Sequence, residues 1–522
     1  MIDGLRLPSH WKWATFADVA YVASDLVDPT FMPEAIHIAP NHIESWTGKL
    51  LPFATVAEDG VTSPKHRFHA GQILYSKIRP YLAKAVFATF EGVCSADMYP
   101  VESSVDPKFL LHWILSTWFT GQTARNQGRT ILPKINRDAL GRLPVPVAPL
   151  SEQQRIATKI DELFSYLDAG VAALERIKAN LKRYRAAVLK AAVEGRVTEA
   201  WRAKHPKTEP ASKLLERILA ERRQNWEKDQ LAKFAAAGKT PLKGWREKYV
   251  EPAAPETRGL PELPQGWCWA SMEQLVTRSE YGTSVKCDYG ASGPPVLRIP
   301  NIAKGKIDLG DMKQATVQYQ LAQQDALQNG DLLMCRTNGS ISLIGKAALM
   351  QATYEPLHTF ASYLLRFRFG ERDTLPKWVH VFVTSHYGRL FIEKNAASSA
   401  GQHNISLSLI HSMPLPLPPL GEQAEITQDV ERRLSIIEGA KAQADANVIR
   451  ATRLRQCILK RAFEGKLVPQ YPQDELASVL LERLRSSLSS HKWDGREATP
   501  ARTRGRRTKS KQVVELSKKQ PK

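Results

Sequence analysis

The chain lacks most of the local patterns that mark an active site. It has no G-x-x-x-x-G-K-[ST] loop: Gly339 and Gly345-Lys346 are wrongly spaced, and Ala347 stands where a metal-binding hydroxyl is required. The G-x-S-x-G elbow, the H-E-x-x-H helix and the glycine-rich turn of a dinucleotide or methyl-donor site are missing as well. Cysteine is scarce. Cys94, Cys268, Cys287, Cys335 and Cys457 are scattered with no C-x-x-C pair, which argues against a disulfide frame or a zinc site and fits thiols in a reducing cytoplasm. No run of about 18 apolar residues suggests a membrane span, and MIDGLRLPSHWKW carries no signal-peptide pattern. Negative charge is also short, with 53 Asp and Glu against 73 Lys and Arg, leaving a formal net charge of +20. These absences turn the search from catalysis toward recognition, and the charge favours a polyanion as the thing recognised.

What the chain does have is a second copy of itself. Ile135 to Val197 returns without a gap as Ile405 to Leu467, an offset of 270. PLSEQQRI at Pro149 meets PLGEQAEI at Pro419, and LKAAVEGRV at Leu189 meets LKRAFEGKL at Leu459. Each copy opens alike, LPSHWKWATFADV at Leu7 and LPQGWCWASMEQL at Leu263, here with an offset of 256. The difference between the two offsets accumulates between these anchors, as expected of loops reshaped on a common scaffold. A duplicated chain offers two equivalent surfaces to a partner of repeated or two-fold character.

The gapless stretch reads as a long helix. The prolines of Leu143-Pro144-Val145-Pro146 force extended chain. Ser151 is a candidate N-cap, followed by Glu152, Gln153 and Gln154 in the first turn. Ile156, Ile160, Leu163, Leu167, Val171, Leu174, Leu181, Tyr184 and Val188 then form one apolar stripe, and Gly195 supplies the stop. About 42 residues rising 1.5 Å each make a rod of roughly 60 Å. In the second copy Ile426, Val430, Ile437, Ala444, Ala451, Leu454 and Ile458 repeat the stripe, interrupted by Arg433, Lys441 and Asn447. So weak a stripe predicts pairing with the first helix in an antiparallel coiled coil. Glu194-Gly195-Arg196 and Glu464-Gly465-Lys466 superficially resemble half of a nuclease carboxylate/lysine set, but no Asp precedes them at useful spacing, and helix-stop glycines explain them better.

The expected organisation is a mixed module at 1–150, a helical spacer at 151–197, a linker at 198–262, a second module at 263–420, a second spacer at 421–490 and a basic, disordered tail at 491–522. Within the first module, Gly71 to Phe87 has strand character and Phe109 to Phe119 reads as one buried helix. Gly330 to Met350 aligns with Gly71 to Phe87, at an offset of 259 that grows to 262. The linker holds an amphipathic helix, Ser212 to Phe234, whose ASKLLERIL echoes ASVLLERLR at Ala477. The fold class expected is α+β: two similar mixed α/β domains separated by two long antiparallel helices, with pseudo-two-fold duplication.

For nucleic acid, the informative side chains are those that contact base edges in pairs, Arg or Lys on guanine and Asn or Gln on adenine. The second module offers Arg298, Asn301, Arg336, Asn338, Lys346, Gln402 and Asn404. The first offers Lys77, Arg79, Lys84, Arg129 and Lys134. No metal site is expected.

These stretches resemble a known family, the DNA-specificity subunits of type I restriction-modification enzymes. The resemblance rests on the paired LP-x-x-W-x-W openings, on LRIPNIAKGKIDLGDMK followed by GDLLMCRTNGSISLIGKAAL, on GQILYSKIRPYL with VCSADMYPV, and on PLPLPPLGEQAEI with its first-half counterpart. It covers nearly everything before about Ser490; the first copy's shorter proline run and the basic tail depart from the pattern. The resemblance implies two target-recognition domains that read one split, asymmetric DNA sequence, and long helices that dock methylation subunits. Glu152, Gln153, Glu422 and Gln423 are the residues expected at those docking points. It implies no catalysis and no cofactor in this chain. S-adenosylmethionine would sit in the methylation subunits, and ATP and Mg in the restriction subunits. A methylation-only or phage-exclusion system, or a stand-alone DNA-modifying enzyme, stays open as an alternative.

The tail carries six Lys or Arg between Arg502 and Lys511, among them Arg504, Arg506 and Lys509. Truncation after Ser490 should weaken binding to cognate and random duplexes alike and make the salt dependence shallower. Titrations at several salt concentrations check this; a relaxed sequence choice on truncation would contradict it.

Overall fold

The computed structural model describes residues 5–125, 133–241, 243–316, 318–399 and 401–491. Two long helices, Leu150–Val193 and Leu420–Phe463, run through a chain that divides into two compact units. One unit combines Met1–Val171 with Ile449–Lys522, and the other is Ala172–Val448. Each unit therefore takes the start of one long helix and the end of the other.

In the first unit, four strands pair in the order Ala20–Val22, Met98–Ser103, Ile73–Ser76, Ala85–Phe87. In the second, the order is Val276–Tyr281, Leu364–Phe369, Leu332–Cys335, Ala347–Leu349. The sequence offsets translate into strand register. Ile73 faces Phe87 and Leu332 faces Leu349, so the first strand is displaced by 259 residues and its partner by 262. The three added residues lie in the connection, as the alignment implies. Each unit also holds a second sheet with a single parallel pair, Ile36–Ile38 beside Gly92–Cys94 and Pro295–Leu297 beside Thr359–Phe360. The chain is α+β, and no helix among the described residues is long and apolar enough to cross a membrane.

The sequence signatures of the two copies bind one another. Strand Lys12–Thr15 pairs with Pro144–Val147, and Cys268–Ser271 pairs with Pro414–Leu417. This pairing sets the opening tryptophan against the first turn of a long helix. The Trp11 indole N–H donates to Glu152 Oε2 at 3.0 Å, and Trp267 donates to Glu422 Oε2 at 2.9 Å. Glu422 also accepts from Thr198 Oγ1 at 2.6 Å and from Arg202. Gln153 and Gln423 reach back to the carbonyls of Ala148 and Pro418, at 2.7 and 2.8 Å. The end of the other long helix arrives at the same place. Gly195 and Gly465 adopt left-handed φ values of 67° and 68°, and a Cβ on either would overlap Pro264 or Pro8 at 2.7 and 2.3 Å. Only glycine combines that backbone conformation with so close an approach. LP-x-x-W is thus a clasp that joins one helix start to one helix end.

This geometry corrects the docking assignment. Glu152, Gln153, Glu422 and Gln423 are fully buried and hydrogen-bonded inward, so they offer no surface to a partner subunit. Ser151 is not the N-cap either. The helix begins at Leu150, and the Ser151 hydroxyl donates to Asp474 at 2.6 Å. Phe109 to Phe119 is two helices, Pro107–Ile114 and Thr117–Arg125, because the Ser116 hydroxyl accepts from the Phe119 N–H at 3.2 Å and starts a new turn.

Within each unit the long helices run antiparallel. In the first, Ile156, Ile160 and Phe164 share a core with Ile458, Leu459, Ala462 and Phe463, and Phe463 packs edge-on against Phe109 and Trp113. In the second, Lys178 meets Asp445 at 2.9 Å and Arg185 approaches Glu438 at 3.8 Å. The stripes are not followed throughout. Tyr184 and Leu454 are exposed, and Arg455 takes the inward position beside Leu454, lying 4.4 Å over the Phe164 ring and bonding Asp168. The linker helix spans Ala211–Ala236 and buries Ala211, Leu214 and Ile218 in the second unit. Its echo, Ala477–His491, buries Ala477, Leu480 and Leu481 in the first.

Replacing Glu422 with Ala strands three donors around a buried position. We expect a loss of about 3 kcal/mol, measured as a lower denaturant midpoint for the intrinsic tryptophan fluorescence. A loss below about 1 kcal/mol, the net worth of one ordinary hydrogen bond, would make the clasp incidental.

Candidate nucleic-acid interface

In the second unit the strand Leu332–Cys335 leads into a surface patch. Arg336 is held by backbone bonds from its N–H to Tyr363 O and from the Ile405 N–H to its own carbonyl, at 2.9 and 3.0 Å. Thr337–Asn338 then pairs with Gln402–Asn404, which pairs with Ala397–Ser399. This small sheet brings together four of the expected residues that lie far apart in sequence. The Arg336 guanidinium sits 4.6 Å over the Tyr281 ring, with Nε 3.4 Å from Asn404 Oδ1. Thr337 Oγ1 also donates to Asn404 Oδ1, at 2.7 Å, which leaves the Asn404 amide nitrogen directed elsewhere. Asn338 Oδ1 caps the next turn at the Ser340 N–H, 2.9 Å away, while Gln402 is exposed.

The first unit builds the same junction with different side chains. The Ile135 N–H donates to Lys77 O at 3.0 Å, and Ile78 bridges Lys134, just as Ile405 meets Arg336 and Thr337 meets Asn404 in the other copy. Lys77 and Arg137 both lie over the Tyr99 ring, at 5.2 and 5.9 Å. Burial pulls the Lys77 ammonium below its ordinary pKa, with Asp97 opposing and Lys134 and Arg137 assisting. Lys134 is bonded to Asp97 at 3.0 Å. Arg79 is exposed at a left-handed φ of 45°, its N–H tied to Pro133 O. Arg129 lies outside the described residues.

Three expected contacts are engaged elsewhere. Asn301 is only 2% exposed, and its side chain accepts from the Arg298 N–H and donates to the carbonyls of Asp308 and Asp311, all within 2.9 Å. It organises its own loop and has no edge left for adenine. Arg298 is bonded to Asp311 O at 3.0 Å and to its carboxylate at 3.2 Å. Lys84 donates to Pro40 O at 2.6 Å. By contrast, Tyr281, Tyr99 and Arg137 were not expected. Tyr281 and Tyr99 come from strands far from the residues they support; Tyr99 stands in the VCSADMYPV run, but nothing in that run marks it as the ring beneath Lys77.

Against known proteins, the chain is 46% identical over 220 residues to the type I restriction enzyme EcoDI specificity subunit of Escherichia coli, covering 41% of this chain and 50% of that one. It is 26% identical over 386 residues to the EcoKI specificity subunit of Escherichia coli strain K12, covering 72% and 71% respectively. The chain thus spans half the length of the first relative and about seven-tenths of the second. The chain is thus similar to type I restriction enzyme specificity subunits. No protein-family model matches it. A solved chain described for complex assembly and conformational transition of the type I R-M system overlays with a TM-score of 0.56 at 20% identity, covering 88% of this chain and all of that one. That overlay speaks to the fold.

Arg336→Ala should cost about 1–3 kcal/mol on a cognate duplex and little on random DNA. Asn301→Ala should instead lower thermal stability, because three buried hydrogen bonds are lost. Fluorescence titrations on both duplexes, with melting curves, separate the two effects. An altered base preference for Asn301→Ala with unchanged stability would reverse the assignment.

Proposed function

We propose that this chain is the DNA-recognition component of a type I restriction-modification complex. In this reading residues 1–150 and 263–420 each read one part of a split, asymmetric duplex sequence. The observation that carries it is the repeated junction: one scaffold position holds Lys77 and Lys134 in the first unit and Arg336 and Asn404 in the second. Groups of this kind discriminate base edges in the major groove, and their difference between units supports a target with unlike halves. The names of the relatives and the charge of +20 support the same reading.

The chain itself performs no bond chemistry. It presents an adenine in each half-site to methylation subunits that carry S-adenosylmethionine, and the adenine leaves the base stack to be modified. Restriction subunits using ATP and Mg join for cleavage. The complex acts in the cytoplasm, where the DNA is. Dock points for the methylation subunits must be sought on the exposed faces of the long helices, since the buried Glu-Gln pairs are unavailable.

Methylome sequencing of a strain carrying this chain with its partner subunits tests the reading, with one split adenine-methylated motif as the expected result. One heptad inserted into each long helix, after Ala172 and after Arg450, keeps the apolar stripes nearly in phase. The unspecified gap should then lengthen while both half-site sequences stay the same. A motif with the original gap would contradict a spacing role for the long helices.

A further inference from the structure

The duplication permits an internal comparison at one position beneath the junctions. In the first unit, Lys49 follows a glycine at φ 75° and bonds Asp168 at 2.5 Å, and Asp168 also holds the buried Arg455. In the second, Lys306 follows a glycine at φ 78° and bonds Glu438 at 2.5 Å, and Glu438 faces Arg185. The three groups correspond one to one, yet the surroundings differ. In the first unit the three-group bridge borders a small hollow of about 180 Å³, whose lining includes Asp161 and Asp168. In the second, Arg185 stands off at 3.8 Å and the space opens into a groove of about 1030 Å³.

The walls of that groove are cationic. The long helices contribute Lys178, Lys182, Arg185 and Lys441, and the globular part contributes Lys304, Lys306, Lys346 and Arg389, against the carboxylates of Glu175, Asp308 and Glu438. Some of these charges are compensated: Lys178 by Glu175 and Asp445, Lys304 by Asp308, and Arg389 by Glu393. Among the described residues, the side chains of Lys182, Lys346 and Lys441 have no hydrogen-bond or ion-pair partner. Lys346 is the informative one. Its counterpart Lys84 occupies the same strand register and is satisfied by Pro40 O, whereas Lys346 points its charge at a groove that also holds Arg185 and Arg389. Burial and those two cations lower its pKa, with Glu393 opposing. The segment from Arg336 to Lys346 also runs from the junction to the groove within one connection, so a strand whose bases meet Arg336 has its backbone close by.

We propose that this groove grips the phosphodiester backbone of the bound DNA, without regard to sequence, on the second unit alone. The proposal rests on the DNA-recognition reading above, and adds that the two units hold the duplex unequally: one by side chains at the junction, the other by these and by a phosphate seat.

The test is the full chain carrying Lys182→Gln, Lys346→Gln and Lys441→Gln together, compared with the wild type and with the three lysines changed to Arg. Affinity for cognate and scrambled duplexes should fall together, on the order of tenfold to a hundredfold near physiological salt, and the salt slope should shrink by about two to three. The Arg variant should retain both. As a second measurement, free of any folding question, the three lysines of the wild type should be protected from acetylation when duplex is bound. A wild-type slope in a folded Gln variant, a change of sequence choice without loss of general affinity, or undiminished acetylation would each overturn the groove. So would saturable binding of inorganic triphosphate that the Gln variant loses while its DNA slope stays unchanged. If the wild type prefers no split sequence but the slope still shrinks, the groove stands and the recognition reading falls.

Discussion

Everything in this molecule depends on a carboxylate kept out of water at the start of each long helix. Glu152 and Glu422 are fully buried, and each accepts from a tryptophan indole that arrives from the opening of its own module. Hydrogen bonds to an ionised acceptor contribute about 1.5–3 kcal/mol each, and an unpartnered buried charge costs more than that. The consequence is directional. The module can attach to the helix only where its indole N–H meets the carboxylate, and the glycine at the opposite helix end admits the module's proline only because it has no Cβ. The orientation of module, helix start and helix end is therefore set at one point, leaving the rest of each module free to change.

That freedom shows in the contrast between the copies. The central sheets keep the same strand order and the same register, while the residues at the strand exits differ: Lys77 against Arg336, Lys134 against Asn404, Lys84 bonded against Lys346 unbonded. A scaffold built this way separates stability from recognition. The side chains that would meet DNA carry little of the core, and the core residues carry no information about sequence.

Much of this was legible in the chain itself. The gapless match of Ile135–Val197 to Ile405–Leu467 announced the two helices, and the drift from 259 to 262 correctly located an insertion between two paired strands. What could not be read was direction. Asn301 looked like a base reader because an amide is suited to adenine, but nothing in a linear sequence says that its three partners are backbone groups of its own loop. The Glu-Gln pairs looked like surface for the same reason: polar residues in a first turn are usually solvated, and only the partner tryptophan, more than 140 residues earlier, turns them inward. The helix starts one residue before the expected cap, at Leu150, and the Ser151 hydroxyl donates to Asp474 on a distant segment. Pairings between distant segments decide all of these cases.

The discontinuous make-up of the first unit has a bearing on how the protein is made. The ribosome delivers Met1–Val171 early, but the aromatic Phe463 that packs between Phe109 and Trp113 belongs to the returning segment, after the whole of Ala172–Val448. At about 5–20 residues per second that interval lasts from roughly a quarter of a minute to a minute. The second unit, contiguous in the chain, can close first, while the nascent first unit waits with an open apolar face. Transiently exposed apolar surface of this kind is prone to aggregate, which places the folding hazard in the half that begins earliest and finishes last.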